Sequence, residues 1–240
     1  MPRTARAVEA GLIYHVMNRG NGRQRVFHKP ADYDAFERIL IEALERFPGV
    51  ELLAYCLMPN HWHLVLCPRR ASDLARFMGW LCVTHVRRHH QAHATRGGGH
   101  LYQGRFKSLP TQDDEHLLSL LRYVESNARR ARLIERAERW RWCSLFGRFG
   151  QPAAGDNAAA DRSRSRRKPL VPLSASPVPR PRNWLARVNQ AMEERELAQL
   201  REAVQRGRPW GQSDWVSQTA RRLGLAFTLR GPGRPRKSKG

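Results

Sequence analysis

The sequence is poor in acidic residues and contains no long apolar run. Its 240 residues include 21 Asp+Glu against 43 Lys+Arg, so the formal net charge is +22 at pH 7. This excess of positive charge indicates a polyanionic partner, and nucleic acid is the first candidate. The longest unbroken apolar run, Leu52 to Met58, is far too short to span a membrane. The N-terminal arginines are followed by no apolar segment of the kind that a secretory signal requires.

Cysteine is also scarce. The four cysteines, at positions 56, 67, 82 and 143, form no C-x-x-C pair, so the sequence suggests neither a zinc ribbon nor a thioredoxin-type site. Each lies among apolar residues, which is typical of reduced, buried thiols in a cytosolic protein. We therefore expect a cytoplasmic protein with no membrane partner.

Composition divides the chain into three predicted segments. Residues 1–150 carry strand and helix patterns and are predicted to form one folded domain. Residues 151–182 are rich in Pro, Ala, Ser and Arg, with almost no large apolar side chain, and are predicted to be a flexible basic linker. Residues 183–240 are predicted to be an accessory helical DNA-binding segment, with helices over 184–204 and 213–223 and a basic tail.

The first segment predicts the element order β-α-β-β-α-β-α. Apolar runs and helical spacing place strands over 12–17, 50–58, 61–67 and 101–109, and helices over 31–47, 71–93 and 113–131. This is the split β-α-β order of a ferredoxin-like α+β fold, with an added C-terminal helix.

Two histidines stand two residues apart in M-P-N-H-W-H-L-V-L, residues 58–66. Strand side chains alternate between faces, so His61 and His63 are predicted to point the same way and Trp62 the opposite way. Two imidazoles at this spacing can hold one divalent metal ion. The spacing alone also suits a strand face that happens to carry two histidines.

A second candidate element is R-Y-V-E-S-N, residues 122–127. Tyr123 and Asn127 lie four positions apart on a predicted helix and so share a face. Taken alone, Tyr123 suits the rim of an apolar stripe, because tyrosine is a poor nucleophile at its ordinary pKa of about 10. Beside a metal-activated phosphate it can attack, and the Asn127 amide oxygen can act as a third ligand.

Together these motifs resemble the REP-associated tyrosine transposases, a group of single-tyrosine His-hydrophobic-His transposases. The resemblance rests on Y-H-V-M-N-R-G-N at 14–21, M-P-N-H-W-H-L-V at 58–65, L-Y-Q-G-R-F-K-S at 101–108, Y-V-E-S-N-A-R-R-A at 123–131 and W-R-W-C-S at 140–144. It extends to G-R-P-W-G at 207–211 and G-R-P-R-K at 233–237.

The resemblance implies roles for the motif residues. His61 and His63 match the metal-binding pair, Tyr123 matches the catalytic nucleophile, and Asn127 matches the third polar ligand. The family cleaves and rejoins single-stranded DNA folded into REP-like hairpins, through a 5′-phosphotyrosine and with Mg²⁺ or Mn²⁺. The resemblance also implies that residues 1–150 are the catalytic domain and that they have a ferredoxin-like fold. It further implies a bacterial, nucleoid-associated location and a monomer, although a dimer remains open.

Basic and polar residues near these motifs are candidate DNA contacts. Asn18 and Arg19 fall in a loop after the first strand, and Arg129 and Arg130 extend the tyrosine helix. The remaining candidates lie on the predicted fourth strand or in the tail: Gln103, Arg105, Lys107, Arg234, Arg236 and Lys237. Such side chains can bind phosphates, although an ordinary charged surface would carry them as well.

Three alternative functions remain open at this point. The first is a non-catalytic regulator that binds hairpin DNA, which would not need all four motif residues. The second is a hydrolytic nuclease, which would use the metal but not the tyrosine. The third is a purely structural basic protein, which would need neither.

Overall fold

A computed structural model describes residues 7–150 and 171–230 of the chain. Its centre is a four-stranded sheet in the order β2-β3-β1-β4, with every neighbouring pair antiparallel. The strands are β1 (Ile13–Arg19), β2 (Val50–Met58), β3 (His61–Pro68) and β4 (Lys107–Thr111). This order confirms the predicted ferredoxin-like α+β fold. The tight Pro59-Asn60 turn between β2 and β3 is also confirmed.

Two helices cover one face of the sheet. They are α1 (Pro30–Arg46) and α2 (Ala71–Ala92), and both begin and end within a residue of the predicted bounds. Their apolar faces pack on alternate residues of the strands, among them Trp62, Leu64 and Val16, in one buried cluster. Burial of this apolar surface is the main stabilising contribution to the fold.

The opposite face is covered by helices that follow β4. These are α3 (Glu115–Glu125), α4 (Asn127–Arg130), α5 (Ser144–Phe149), α6 (Trp184–Asn189) and α7 (Glu194–Arg206). Val65 of β3, Leu121 of α3 and Trp184 of α6 belong to the same buried cluster. A further helix, α8 (Ser213–Arg222), ends before Gly224, whose positive φ of 64° is typical of a glycine that follows a helix.

Four predicted boundaries were wrong. β1 extends to Arg19, so Asn18 and Arg19 belong to the strand rather than to a loop. β4 begins only at Lys107, which leaves Gln103 and Arg105 in the preceding loop. The helix predicted over 113–131 is interrupted at Ser126, and the one predicted over 184–204 is interrupted at residues 190–193. Tertiary packing set these ends, which is why local periodicity missed them.

Residues after 170 pack against the first 150. Trp210 continues the sheet beyond β4, because its backbone N–H donates to the carbonyl of Pro110 at 2.9 Å and its carbonyl accepts from Gln112 at 2.8 Å. The backbone N–H of Ser174, within the predicted linker, donates to the carbonyl of Leu52 at 2.8 Å. Within the described ranges, no helix is long and apolar enough to cross a membrane.

A buried carboxylate ties α3 to the later helices. Glu125 is 1% exposed. One of its oxygens accepts from the Ser144 hydroxyl at 2.9 Å, and the other accepts from the indole N–H of Trp184 at 2.7 Å. The Arg180 guanidinium lies 3.6 Å from the first oxygen. Because a buried carboxylate without partners is costly, these contacts hold α3 in one position.

A second buried carboxylate predicts a pH dependence of stability. Glu37 of α1 accepts a hydrogen bond from the Tyr55 hydroxyl at 2.9 Å, and burial raises its pKa to about 7. The folded protein therefore holds this proton more tightly than the unfolded chain, whose glutamate pKa is near 4.5. The contribution of Glu37 is fully present below pH 4.5 and is lost as pH rises to 7, by up to about 3 kcal/mol.

We expect Glu37→Gln to remove this decline, because an amide keeps the acceptor and has no proton to lose. Urea unfolding at pH 5 and pH 8 measures the effect, with exposed Glu45→Gln on the same helix as the control. Equal pH slopes for Glu37→Gln and wild type would contradict the assignment.

Candidate active site

The alternation of β3 brings the predicted histidine pair to one face of the sheet. His61 pairs with Met58 and His63 with Cys56, both of which face α3. Trp62 is fully buried on the other face, against α1 and α2. The two imidazole centroids are 4.9 Å apart, and the rings are nearly perpendicular. The predicted arrangement of these three side chains is confirmed.

A third histidine, which sequence reasoning missed, completes the cluster. His15 of β1 lies beside β3, and its Nε2 is 2.8 Å from Nδ1 of His63. Both side chains are almost fully buried, at 1% and 2% exposed. The motif Y-H-V-M-N-R-G-N contains His15, but only the β1–β3 register shows that it meets His63.

Tyr123 of α3 packs edge-on against this cluster. Its ring centroid lies 5.9 Å from that of His63 and 6.3 Å from that of His15, both at nearly right angles. The side chain is 8% exposed. The structure therefore places the predicted nucleophile next to the predicted metal pair, within one chain.

Arg130 contacts both the ring and the backbone of Tyr123. Its guanidinium carbon stands 4.1 Å from the centroid of the Tyr123 ring, which is cation–π geometry. The same guanidinium donates to the Tyr123 carbonyl at 2.9 Å and to the Ser126 hydroxyl at 3.2 Å. Arg130, predicted as a DNA contact, is thus already engaged with the nucleophile.

One unpartnered atom of this cluster fits a divalent metal ion. Nε2 of His63 is buried and has no hydrogen-bond partner in the described part of the chain, and it can bind a metal ion when the ring proton is on Nδ1. Among described residues, no three His, Cys, Asp or Glu side chains are arranged to hold a metal ion. An ion bound by His61 and His63 would therefore need a further ligand, such as the Asn127 amide oxygen.

The surroundings keep the imidazoles neutral. Burial, assisted by the charges of Arg19 and Arg130, lowers the pKa of His61 to about 3. Burial and the neighbouring His61 lower the pKa of His15 to about 3, and the pKa of His63 falls well below its usual range mainly through burial. Neutral imidazole is the form that binds metal ions, so the cluster suits that role at pH 7.

The residues that were predicted to contact DNA lie at several separate positions in the structure. Arg19 faces His61 across the β1–β3 pair, and Asn18 is buried with its amide donating to the Gly104 carbonyl at 3.3 Å. The Lys107 amino group donates to the carbonyl of Gln205 at 3.0 Å, and Arg129 donates to that of Glu135 at 3.1 Å. The basic tail lies outside the described residues, and with it three residues predicted to contact DNA: Arg234, Arg236 and Lys237.

Three of the predicted contacts line one groove. Asn18, Gln103 and Arg105 border a cleft of about 960 Å³ between α2 and the loop before β4. Its remaining lining includes apolar and basic side chains, among them Met78, Val83, Phe106 and Arg87. Val83 is 59% exposed there. The groove therefore combines positive charge with exposed apolar surface.

Two further histidines, His85 of α2 and His93 just after it, do not belong to this cluster. His85 is buried, and its Nδ1 lies 2.6 Å from the Tyr102 hydroxyl. That hydroxyl accepts from the Trp62 indole at 2.8 Å. His93 lies 3.1 Å from Asp32 of α1. His85 is thus a core residue.

The fold and the site define the class of this protein: a ferredoxin-like domain that carries a His-Trp-His strand and a helical tyrosine on the same sheet face. The model of the family described as IS200-like transposases matches residues 9–127, which include all four strands and the residues from His15 to Asn127. The chain therefore belongs to the IS200-like transposases, a family of DNA-cleaving enzymes that generally use a divalent metal ion. A comparison with curated proteins gives no match.

Two solved structures show a distant likeness. The structure of a REP-associated tyrosine transposase bound to a REP hairpin is 14% identical, covers 61% of this chain and 84% of its own, and has a TM-score of 0.46. A candidate transposase from Deinococcus radiodurans R1 is 24% identical, covers 52% and 97%, and has a TM-score of 0.38.

Proposed function

We propose that this transposase cleaves and rejoins single-stranded hairpin DNA through a 5′-phosphotyrosine, as in the REP-associated group that its motifs resemble. One observation carries the proposal: the Tyr123 ring lies 5.9 Å from the ring of His63, on the sheet face that also presents His61. A nucleophile and a metal pair placed so closely can act on one phosphate.

In the proposed step, the Tyr123 oxygen attacks the scissile phosphorus. The bond from phosphorus to the 3′ oxygen breaks, the 3′-hydroxyl leaves with a proton, and the 5′ phosphate stays on the tyrosine. A later 3′-hydroxyl can then attack this ester and reseal the strand, because the ester conserves the bond energy. Mg²⁺ or Mn²⁺, bound by His61, His63 and Asn127, would polarise the phosphate and stabilise its developing charge.

The positions of the basic side chains support a role in holding DNA. Arg130 stands over the Tyr123 ring, and Arg19 faces His61 across the β1–β3 pair. We propose that Gln103 and Arg105, at the mouth of the groove, bind the strand on its way to this site. Phosphate contacts of this kind add affinity that falls with salt.

We further propose a monomer in the bacterial cytoplasm, associated with the nucleoid. His61, His63 and Tyr123 all come from one chain and already lie together, so no second chain is needed to complete the set.

The test is a covalent-adduct assay with hairpin oligonucleotides labelled at either end. With Mn²⁺ or Mg²⁺, we expect the protein to carry the 3′-labelled fragment on a denaturing gel, because that fragment holds the 5′ phosphate. The 5′-labelled fragment should run free with a 3′-hydroxyl. EDTA should abolish both products, and a scrambled stem that cannot fold should give neither.

Other results would point to the alternatives. An adduct with the 5′-labelled fragment would overturn the proposed polarity. Cleavage without any adduct would indicate a hydrolytic nuclease. A gel shift on the same hairpins, with no cleavage under any metal condition, would indicate a DNA-binding regulator.

A further inference from the structure

Each histidine of the metal pair has its Nδ1 held by a neighbouring side chain. Nδ1 of His63 lies 2.8 Å from Nε2 of His15, and Nδ1 of His61 lies 2.6 Å from the amide oxygen of Asn60. Neither His15 nor Asn60 has a role in the proposed reaction. In both histidines, the nitrogen that remains for a ligand is Nε2.

The Asn60 contact determines one tautomer. An amide oxygen only accepts, so Nδ1 of His61 carries the proton and donates it, which leaves the Nε2 lone pair free. The Asn60 amide nitrogen donates to the carbonyl of Arg23 at 3.2 Å, which keeps the oxygen turned towards His61.

We infer that His15 does the same for His63. It is a positioning residue whose Nε2 accepts the Nδ1 proton of His63 and so directs Nε2 of His63 to a divalent metal ion. The inference rests on the metal site of the proposed function, while the use of that metal in DNA cleavage is tested separately.

The two directions of this hydrogen bond leave equal numbers of buried groups unpaired. Each puts one proton on a buried nitrogen that has no acceptor in the described structure, Nε2 of His63 in one case and Nδ1 of His15 in the other. The directions differ in what they leave for a ligand: only the inferred one gives His63 a free Nε2 lone pair, as the Asn60 contact does for His61.

The rings of His15 and His63 are nearly parallel and are both buried. Their planes differ by 15° and their centroids are 5.0 Å apart. His15 is 1% exposed, so water does not compete for the bond. Hydrogen bonds of this kind fix the orientation of a metal-binding imidazole and raise its basicity, and their loss costs about 10–100-fold in metal affinity.

The first experiment observes the tautomer in the unmodified full chain. ¹⁵N NMR of histidine-labelled protein should show Nδ1 of His63 protonated and Nε2 with the shift of an unprotonated nitrogen. A His63→Gln spectrum assigns the signals. A protonated Nε2 in the metal-free protein would overturn the inference, and this measurement needs no variant of His15.

The second experiment measures Mn²⁺ affinity without DNA, by the EPR signal of the free ion. We expect His15→Leu, which has no acceptor, to weaken binding about 10–100-fold. His15→Gln, whose amide oxygen reaches the position of Nε2, should stay within about threefold of wild type. His100→Leu, which removes an exposed histidine, is the control and should bind as wild type. Thermal unfolding of each variant, measured alongside, confirms that the loss is not one of fold.

The outcomes separate the inference from the proposed function. Equal Mn²⁺ affinity in folded His15→Leu, an equal loss in folded His15→Gln, or no Mn²⁺ binding by wild type would each overturn the inference. Binding that depends on His15, in a protein that forms no DNA adduct, would sustain the inference and refute the proposed chemistry.

Discussion

Tyr123→Phe is expected to form no covalent adduct with hairpin DNA, a loss of at least about 10³-fold, because it lacks the only proposed nucleophile. Phenylalanine keeps the ring that contacts His63, His15 and Arg130. We therefore expect hairpin affinity and the unfolding temperature to remain close to those of wild type. Denaturing gels measure the adduct, and gel shifts without metal measure affinity.

Tyr33→Phe is the matched control for this substitution. Tyr33 is a buried tyrosine of α1 that stacks on Trp142 and packs in the cluster on the other face of the sheet from the histidine pair. This variant should form the adduct at the wild-type rate. Strand cleavage that persists in Tyr123→Phe would show that water attacks, and would replace the transposase mechanism with hydrolysis.

Trp184→Ala is expected to lower the free energy of unfolding by about 4 kcal/mol. The substitution removes a large side chain that is 1% exposed and leaves one oxygen of buried Glu125 without its indole donor. An unpaired buried carboxylate oxygen adds to the cost of the cavity. Chemical denaturation measures the change.

Trp184→Phe separates the two contributions. It keeps most of the volume and removes only the N–H, so we expect a smaller loss, about 1–3 kcal/mol. Combination with Glu125→Gln should make the two losses non-additive, because both change the same hydrogen bond. Full additivity, or a loss in Trp184→Ala below about 1 kcal/mol, would contradict the packing of α6 on α3.

The sequence predicted the sheet order and the histidine face because both follow from local rules. Alternation in β3 puts His61 and His63 opposite Trp62 whatever the rest of the chain does. The β-α-β-β-α-β order leaves few ways to arrange four strands. The family match adds to this reading by covering the same strands.

The remaining features of the site depend on contacts between segments that are distant in the chain. His15 meets His63 only through the β1–β3 register, and Arg130 contacts Tyr123 across the helix interruption at Ser126. The late start of β4 follows its pairing with β1 and with Trp210, which a local pattern does not contain.

The opposite orientation of Trp62 and its two histidine neighbours limits how this site can change in evolution. The Trp62 indole donates to the Tyr102 hydroxyl, and that hydroxyl also contacts His85. Trp62 therefore anchors β3 on the sheet face opposite the two histidines. A shift of β3 by one residue against β1 and β2 would bury both imidazoles under α1 and α2 and place the indole beside Tyr123. A residue added to the Pro59-Asn60 turn is therefore compatible with this site only if the turn absorbs it and both strand registers are kept.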